Sequence, residues 1–92
     1  MIITLCGSVS HPDLIREAAR EITLQGHAVF APEPMLRPVT PEEAEMLTRL
    51  HHAKIRRADA VVAIRKPDGS IGDAVRSEIA YAEDLGKKVT YI

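Results

Sequence analysis

The chain lacks the features that mark several common protein classes. Its 92 residues contain one cysteine, Cys6, so no disulfide can form within the chain and a reducing compartment is expected. The formal net charge is −1, which argues against general nucleic-acid binding because such proteins usually carry a basic excess. No apolar run approaches the ~20 residues that span a bilayer. The apolar start at residues 2–6 is short and lacks a basic flank, so we expect no signal peptide and a cytoplasmic location.

Three motifs of nucleotide and ester chemistry are also absent. There is no Gly-rich Walker loop, no G-x-G-x-x-G after the first apolar run, and no Ser-His-Asp elbow. These absences argue against kinase-type phosphoryl transfer, dinucleotide-dependent redox chemistry and α/β-hydrolase chemistry. His51 and His52 are expected on different faces of one helix, and no cysteine or carboxylate stands at ligand spacing from them. The sequence therefore predicts no metal site and no cofactor.

The chain alternates short apolar runs with amphipathic segments, which is the pattern of one domain over residues 1–92. Each apolar run has the length of a strand buried within a sheet. The predicted strands are residues 2–6, 27–31, 60–64 and 89–92. The order βαβαβαβ predicts a flavodoxin/Rossmann-like three-layer α/β/α fold. Its four-stranded parallel sheet has the order 2-1-3-4 and right-handed crossovers.

Three helices are predicted between these strands. They run from Pro12 to a stop at Gly26, from Pro41 to about Arg57, and from a Ser-x-x-Asp cap at Ser70 to a stop at Gly86. The second helix has the clearest start, because Thr40 and Glu43 have the spacing of a capping box. Residues 32–40 precede it and hold three prolines, which predicts an extended loop.

The predicted sheet is covered unevenly. In the order 2-1-3-4, the first helix lies on one face and the other two helices lie on the opposite face. No fifth strand or final helix remains to cover the first face beside strands three and four, although residues 61–64 are apolar on both sides. We therefore expect a homo-oligomer, a dimer or larger, in which a second copy covers this face and completes the pocket at its edge.

Glu78 is the residue of greatest chemical interest. Ligands of open parallel sheets bind beyond the carboxyl ends of the strands, and the helix that bears Glu78 starts at this edge. Glu78 flanks the apolar stripe of Val75, Ile79 and Ala82, so its carboxylate is expected to be partly desolvated yet able to face the cleft. Composition alone favours a plain surface role, in which Glu78 pairs with a lysine or arginine.

Other residues near this edge have two interpretations each. Ser8, Ser10 and Ser70 can bind a phosphate through their hydroxyls and the amides at helix N-termini, or they can be ordinary N-caps. The Arg-Lys pair at residues 65–66 is either a solvated face or a source of attraction for phosphate. His51 lies on an apolar stripe, which favours a hydrogen-bonded core histidine over a catalytic one.

Three stretches of the sequence carry a resemblance to a known family. They are CGSVS at 6–10, RADAVVAI at 57–64 and SEIAYAEDLGKKV at 77–89. In this order they resemble the nucleoside 2-deoxyribosyltransferase-like family, which includes nucleotide N-glycosidases. The chain is also similar to small bacterial members that carry LHxxKIxxAD and GxxxRSEIAYAxxLGKxV. The resemblance implies an enzyme that cleaves the N-glycosidic bond of a nucleoside or nucleotide, and the alternative is a non-catalytic nucleotide-binding module.

The resemblance also implies roles for individual residues. Glu78 would be the nucleophile that attacks C1′ of the sugar, Asp59 the supporting acidic residue, and the Gly7-Ser8 turn the holder of the sugar or its 5′-phosphate. The carboxylate would stabilise an oxocarbenium-like transition state and form a glycosyl-enzyme ester. Asp59 has an equally supported local role, since an Asp before a buried strand often caps a helix. Ala80 stands where the enzymes usually carry Gly.

Overall fold

The computed structural model describes residues 1–34 and 37–92, and this part of the chain forms four strands and three helices. In chain order they are β1 (Ile2–Cys6), α1 (Pro12–Leu24), β2 (Ala28–Phe30), α2 (Pro41–Arg57), β3 (Ala60–Ala63), α3 (Asp73–Asp84) and β4 (Lys88–Tyr91). Each strand end lies within one residue of its prediction. Residues 35 and 36 of the predicted loop at 32–40 lie outside the described residues.

The strands form one sheet of order β2-β1-β3-β4, and the predicted α/β fold is confirmed. All three pairings are parallel: Ile2 lies opposite Ala28, Ile3 opposite Ala60, and Ala60 opposite Lys88. Because the strands run in the same direction, their carboxyl ends meet at one edge of the sheet. This edge is where an open parallel sheet binds ligands.

Apolar side chains pack on both faces of the sheet, because successive residues of a strand point to opposite sides. The cluster on the α1 face contains Ile3, Leu5, Ile15, Ala18, Ile22 and Ile64. The cluster under α2 and α3 contains Cys6, Ile55, Val61, Ala63, Val75, Ile79 and Ala82. The predicted α3 stripe is therefore buried as expected, and it fixes the helix in the orientation that matters for Glu78.

The capping box predicted at the start of α2 is confirmed. The Thr40 hydroxyl accepts a hydrogen bond from the Glu43 amide at 3.1 Å, and the Glu43 carboxylate accepts one from the Thr40 amide at 2.9 Å. The Arg37 guanidinium lies 2.9 Å from the same carboxylate. This ion pair, together with the Thr40 amide, lowers the pKa of Glu43. The free backbone amides at the start of α2 are thus bonded by side chains of the same segment.

The start of α3 differs from the prediction. Its N-cap is Gly72, and no side chain caps it. The predicted cap, Ser70, donates its hydroxyl to the Asp68 carboxylate at 2.6 Å, and its amide bonds the same oxygen at 2.9 Å. These bonds close the turn at residues 67–69, in which Gly69 has a positive φ of 86°. The cap prediction is wrong because the Ser70 hydroxyl is used by the turn before the helix.

The α1 face of the sheet is covered beside β1 and less covered beside β4. Leu5 of β1 is fully buried, whereas Thr90 of β4 is exposed and Ile92 is 52% exposed. This asymmetry agrees with the uneven coverage inferred from the sequence. The second copy expected over this face remains a prediction.

We expect the protein to sediment as a dimer or larger assembly at micromolar concentration, because a second copy would bury the apolar surface around Ile92. An Ile92→Lys variant should shift the assembly toward monomer, since the interface would have to bury a charge. Leu85→Lys, at the exposed residue that follows α3, is the control and should sediment like the wild type. Analytical ultracentrifugation that finds only wild-type monomer would contradict the expectation.

Candidate active site

A cleft of about 710 Å³ opens at the carboxyl edge of the sheet. It lies between the loop after β1, the inner face of α2 and the first turns of α3. Its apolar wall includes Phe30, Leu47 and Val75, and basic side chains at its border include Arg57 and Lys66. The lining also contains carboxylates, among them Glu33 and Asp73. A volume of this size and a mixture of apolar and charged walls suit a small organic ligand.

Glu78 lies in this cleft, on the second turn of α3. Its side chain is only 20% exposed, because the neighbouring stripe holds the helix against the core. The geometric expectation of a partly desolvated carboxylate that faces the cleft is therefore confirmed. Within the described residues, its ionisable neighbours are His51 and Cys6, not the lysine or arginine that a surface glutamate would pair with.

Cys6, His51 and Glu78 meet at the inner end of the cleft. The His51 Nε2 atom lies 3.5 Å from Glu78 Oε1 and 3.6 Å from Cys6 Sγ. His51 is 6% exposed and Cys6 is fully buried. Two atoms of this cluster, His51 Nδ1 and Glu78 Oε1, are buried without a hydrogen-bond partner in the described part of the chain.

This cluster bears on two predictions about His51. The histidine is buried, as expected, and its Nε2 atom is within hydrogen-bond distance of Cys6 Sγ, but Nδ1 lacks a partner among the described residues, so only one of its ring nitrogens is satisfied. No cysteine or carboxylate stands at ligand spacing from His51 along the sequence, yet Cys6 and Glu78 lie beside it in the fold. Cys6 and Glu78 belong to other elements, so their proximity comes from the packing of β1, α2 and α3 rather than from spacing along one helix.

The Cys6 thiol is held in its protonated form. Burial, and secondly the negative charge of Glu78, raise its pKa well above the ordinary value of 9.0. Because a thiol must lose its proton to act as a nucleophile, Cys6 is not the attacking group of this cleft. The carboxylate of Glu78 is the better candidate.

The Gly7-Ser8 turn reaches the cleft as predicted. Gly7 is buried, and a Cβ at this position would lie 3.3 Å from side-chain atoms of Ile15 and Ile64, so the backbone passes closely between α1 and the end of β3. Ser8 lines the cleft. Its hydroxyl contacts the Ser10 hydroxyl at 2.5 Å and accepts the Ser10 amide at 3.3 Å. Neither serine is the N-cap of α1, which is His11.

Two predicted site residues lie elsewhere. Asp59 precedes β3, so it sits at the amino edge of the sheet, about 13 Å of strand away from the cleft. Its carboxylate accepts a hydrogen bond from the Ile2 amide at 2.7 Å, which is a structural role. The catalytic role predicted for Asp59 is therefore not supported by its position. Ser70 and Ser10 also lie outside the cleft lining, and Ser70 is occupied by Asp68.

One wall of the cleft is formed by α2, which the sequence pattern did not predict. Leu47, Leu50, His51 and Lys54 all line it, at the spacings of three and four that place residues on one helical face. Lys54 also fastens this wall. Its ammonium donates to the Ala31 carbonyl at 2.7 Å, and its own carbonyl accepts the Thr4 hydroxyl at 2.8 Å. The signal for this wall in the sequence is the presence of polar residues beside the apolar stripe of α2.

Comparisons with known proteins bear on the fold. No protein-family profile matches the chain, and no curated protein matches its sequence. A 2-deoxyribosyltransferase of the psychrotolerant bacterium Bacillus psychrosaccharolyticus is similar over 99% of this chain and 71% of that chain, with a TM-score of 0.77 and 23% identity. A CMP N-glycosidase of Clostridium botulinum matches 99% and 70%, with a TM-score of 0.68 and 16% identity. A 2-deoxyribosyltransferase of Leishmania mexicana matches 99% and 63%, with a TM-score of 0.74 and 21% identity.

The chain therefore has the fold of the nucleoside 2-deoxyribosyltransferase-like proteins, and the resemblance found in its sequence is confirmed at the level of fold. It spans 71%, 70% and 63% of the lengths of these three structures, so a part of each lies outside the similarity. Across residues 1–34 and 37–92, no helix combines the length and apolar character that crossing a membrane requires.

The raised pKa of Cys6 predicts how stability responds to alkaline pH. The folded protein binds this proton more tightly than the unfolded chain, so the contribution is complete below the ordinary pKa of 9.0 and is lost as the pH rises above it. Between about pH 8 and about pH 10, the wild type should lose about 1.4 kcal/mol more of its free energy of unfolding than Cys6→Ala. Urea denaturation in metal-free buffer measures both, and equal losses would contradict the prediction.

Proposed function

We propose that the protein cleaves the N-glycosidic bond of a nucleoside or nucleotide, with Glu78 as the nucleophile. The observation that carries this proposal is the state of the carboxylate. Glu78 lies in the cleft, four-fifths buried, and its Oε1 atom has no hydrogen-bond partner within the described residues. The fold shared with two 2-deoxyribosyltransferases and a CMP N-glycosidase supports the reaction class.

The proposed reaction proceeds through a glycosyl-enzyme ester. Glu78 attacks C1′ while the bond from C1′ to the base nitrogen breaks, and the electron pair leaves with the base, which takes a proton from solvent. The nearby carboxylate stabilises the positive charge that develops on the sugar. Water then attacks C1′ to release the sugar, or a second base attacks to give a transfer product. Neither step needs a metal or cofactor.

The walls of the cleft suit the parts of a nucleotide. The apolar residues Phe30, Leu47 and Val75 can pack against the sugar and base. Lys66 and the first turn of α3, which follows Gly72, line the same cleft, and the Lys66 ammonium lies 3.5 Å from where a Cβ on Gly72 would be. A helix N-terminus beside a cation favours an anion, so we propose a nucleoside 5′-monophosphate as the preferred substrate.

Replacing Glu78 is the direct test of the nucleophile. Glu78→Gln keeps the shape but removes the attacking charge, so release of free base from a panel of nucleosides and nucleoside 5′-monophosphates should fall at least about a thousandfold. Glu83→Gln, an exposed glutamate of the same helix, is the matched control and should react like the wild type. Chromatography measures the base, and mass spectrometry of acid-quenched wild type should detect a glycosyl adduct on the peptide that contains Glu78.

Each outcome of this experiment distinguishes between functions. A Glu78→Gln variant that releases base as fast as the wild type contradicts the assignment of the nucleophile. A wild type that releases no base, but gains thermal stability from nucleotides, has the properties of the non-catalytic binding module. A wild type with neither response contradicts both the enzyme and the module.

The preference for phosphate is tested at Lys66. Lys66→Gln removes a cation from the cleft, so KM for nucleoside 5′-monophosphates should rise about tenfold, which corresponds to about 1.4 kcal/mol of binding. KM for the unphosphorylated nucleosides should stay unchanged. Lys88→Gln, an exposed lysine of β4, is the control. An equal loss for both substrate classes would mean that Lys66 does not contact the phosphate.

A further inference from the structure

The proposed reaction uses Glu78 and leaves its two neighbours, Cys6 and His51, without a role. Their donor atoms and that of Glu78 all lie within 4.8 Å of one another. A thiol, an imidazole and a carboxylate, converging from three different elements, are the donor types that bind zinc. Cys6 and His51 are buried, while Glu78 is on the side that faces the cleft.

Two of the three distances within the cluster match the edges of a tetrahedral zinc site. With Zn–S of about 2.3 Å and Zn–N and Zn–O near 2.05 Å, an ideal tetrahedron has edges of about 3.6 Å from sulfur to nitrogen or oxygen and about 3.3 Å from nitrogen to oxygen. The observed distances are 3.6 Å from Cys6 Sγ to His51 Nε2 and 3.5 Å from His51 Nε2 to Glu78 Oε1. The third distance, from Cys6 Sγ to the Glu78 carboxylate, is within 4.8 Å, and rotation of the Glu78 side chain would close it on metal binding.

An unsatisfied polar atom is an independent observation. The His51 side chain is more than nine-tenths buried, and its Nε2 atom lies against the other two donors and shares a hydrogen bond with Cys6 Sγ, while Nδ1 is the ring nitrogen without a partner among the described residues. Glu78 Oε1 is buried and has no hydrogen-bond partner in the described ranges. Leaving such groups unsatisfied costs free energy, and each one in a folded protein calls for an explanation, such as an ion.

We propose that Cys6, His51 and Glu78 form a three-ligand site for Zn²⁺ or a similar divalent cation, whose fourth position opens to the cleft. Coordination displaces the thiol proton to solvent and uses an oxygen of Glu78. Zinc bonded to one oxygen withdraws charge from the whole carboxylate, so neither oxygen remains an effective nucleophile toward C1′, and metal binding and glycosyl transfer exclude each other. The metal site stands on the geometry alone, whereas the inhibition rests on the proposed function.

Cobalt and zinc test the site without any enzyme assay. The wild type should bind one Co²⁺ per chain and develop the near-ultraviolet thiolate-to-cobalt charge-transfer band, and Zn²⁺ should displace the cobalt. Cys6→Ser should lose this band. Because loss of an outer partner of a ligand already weakens metal binding by about 10–100-fold, loss of a ligand itself should weaken Zn²⁺ binding at least about tenfold in His51→Gln and Glu78→Gln.

Two controls keep this test decisive. His52→Gln changes the adjacent histidine, which stacks on Tyr81 outside the cluster, and it should bind Zn²⁺ like the wild type. Circular dichroism establishes that each variant is folded, and Glu78→Gln, at the open side of the cluster, is the least disruptive of them. A wild type without the charge-transfer band overturns the proposal. Wild-type zinc affinity in His51→Gln or Glu78→Gln also overturns it.

The inhibition is tested by base release with and without metal. Saturating Zn²⁺ should lower the wild-type rate at least tenfold, and a chelator should restore it. The ratio of the two rates in Cys6→Ser should be close to one. Stimulation by Zn²⁺ would overturn the mutual exclusion. A wild type that binds cobalt through Cys6 but releases no base in either condition would contradict the proposed function and leave the metal site supported.

Discussion

Three polar side chains meet within the apolar packing between the sheet and two helices, and the rest of the site depends on this contact. Cys6, His51 and Glu78 come from β1, α2 and α3, so they can meet only when both helices are correctly placed on the sheet. Burying polar groups that have few partners costs free energy. The packing of apolar residues around Ile55 and Val61 offsets that cost. The site is therefore held together by the hydrophobic core more than by its own hydrogen bonds.

The contrast with other polar groups of the protein gives Glu78 its significance. Thr40 and Glu43 satisfy each other at the start of α2, Asp68 bonds Ser70 in a turn, and the Asp59 carboxylate holds the Ile2 amide. Each of these side chains forms a hydrogen bond that stabilises a helix start, a turn or a strand. The Glu78 carboxylate has His51 as a neighbour but stabilises no such backbone feature within the described residues. Buried polar groups that lower the stability of the fold in this way tend to mark functional sites.

The fold could be predicted from the sequence because apolar strand runs and helical stripes are local patterns. The predicted parallel order of the strands then placed Glu78 and the Gly7-Ser8 turn at the same edge of the sheet. The sequence was insufficient where the answer depends on three-dimensional neighbours. His51 and Cys6 are 45 residues apart in the sequence, and no periodicity links them. Asp59 shows the limit of carrying over a family motif, because its position before β3 already placed it at the edge of the sheet opposite to the one that binds ligands. The Ser70 hydroxyl could bond either the start of α3 or the preceding turn, and it bonds Asp68 in the turn.

The two hydrogen bonds of Lys54 have a consequence for ligand selection. One residue of α2 joins the helix both to β1, through Thr4, and to the end of β2, through the Ala31 carbonyl. Each bond joins a side-chain donor to a main-chain carbonyl, so the cleft-lining Lys54 also holds the helix at its distance from the sheet. A wall held in this way before any ligand arrives reduces the ordering that accompanies binding. Changing Lys54 would therefore alter the charge of the cleft and its width together, so these two properties are not separable at this residue.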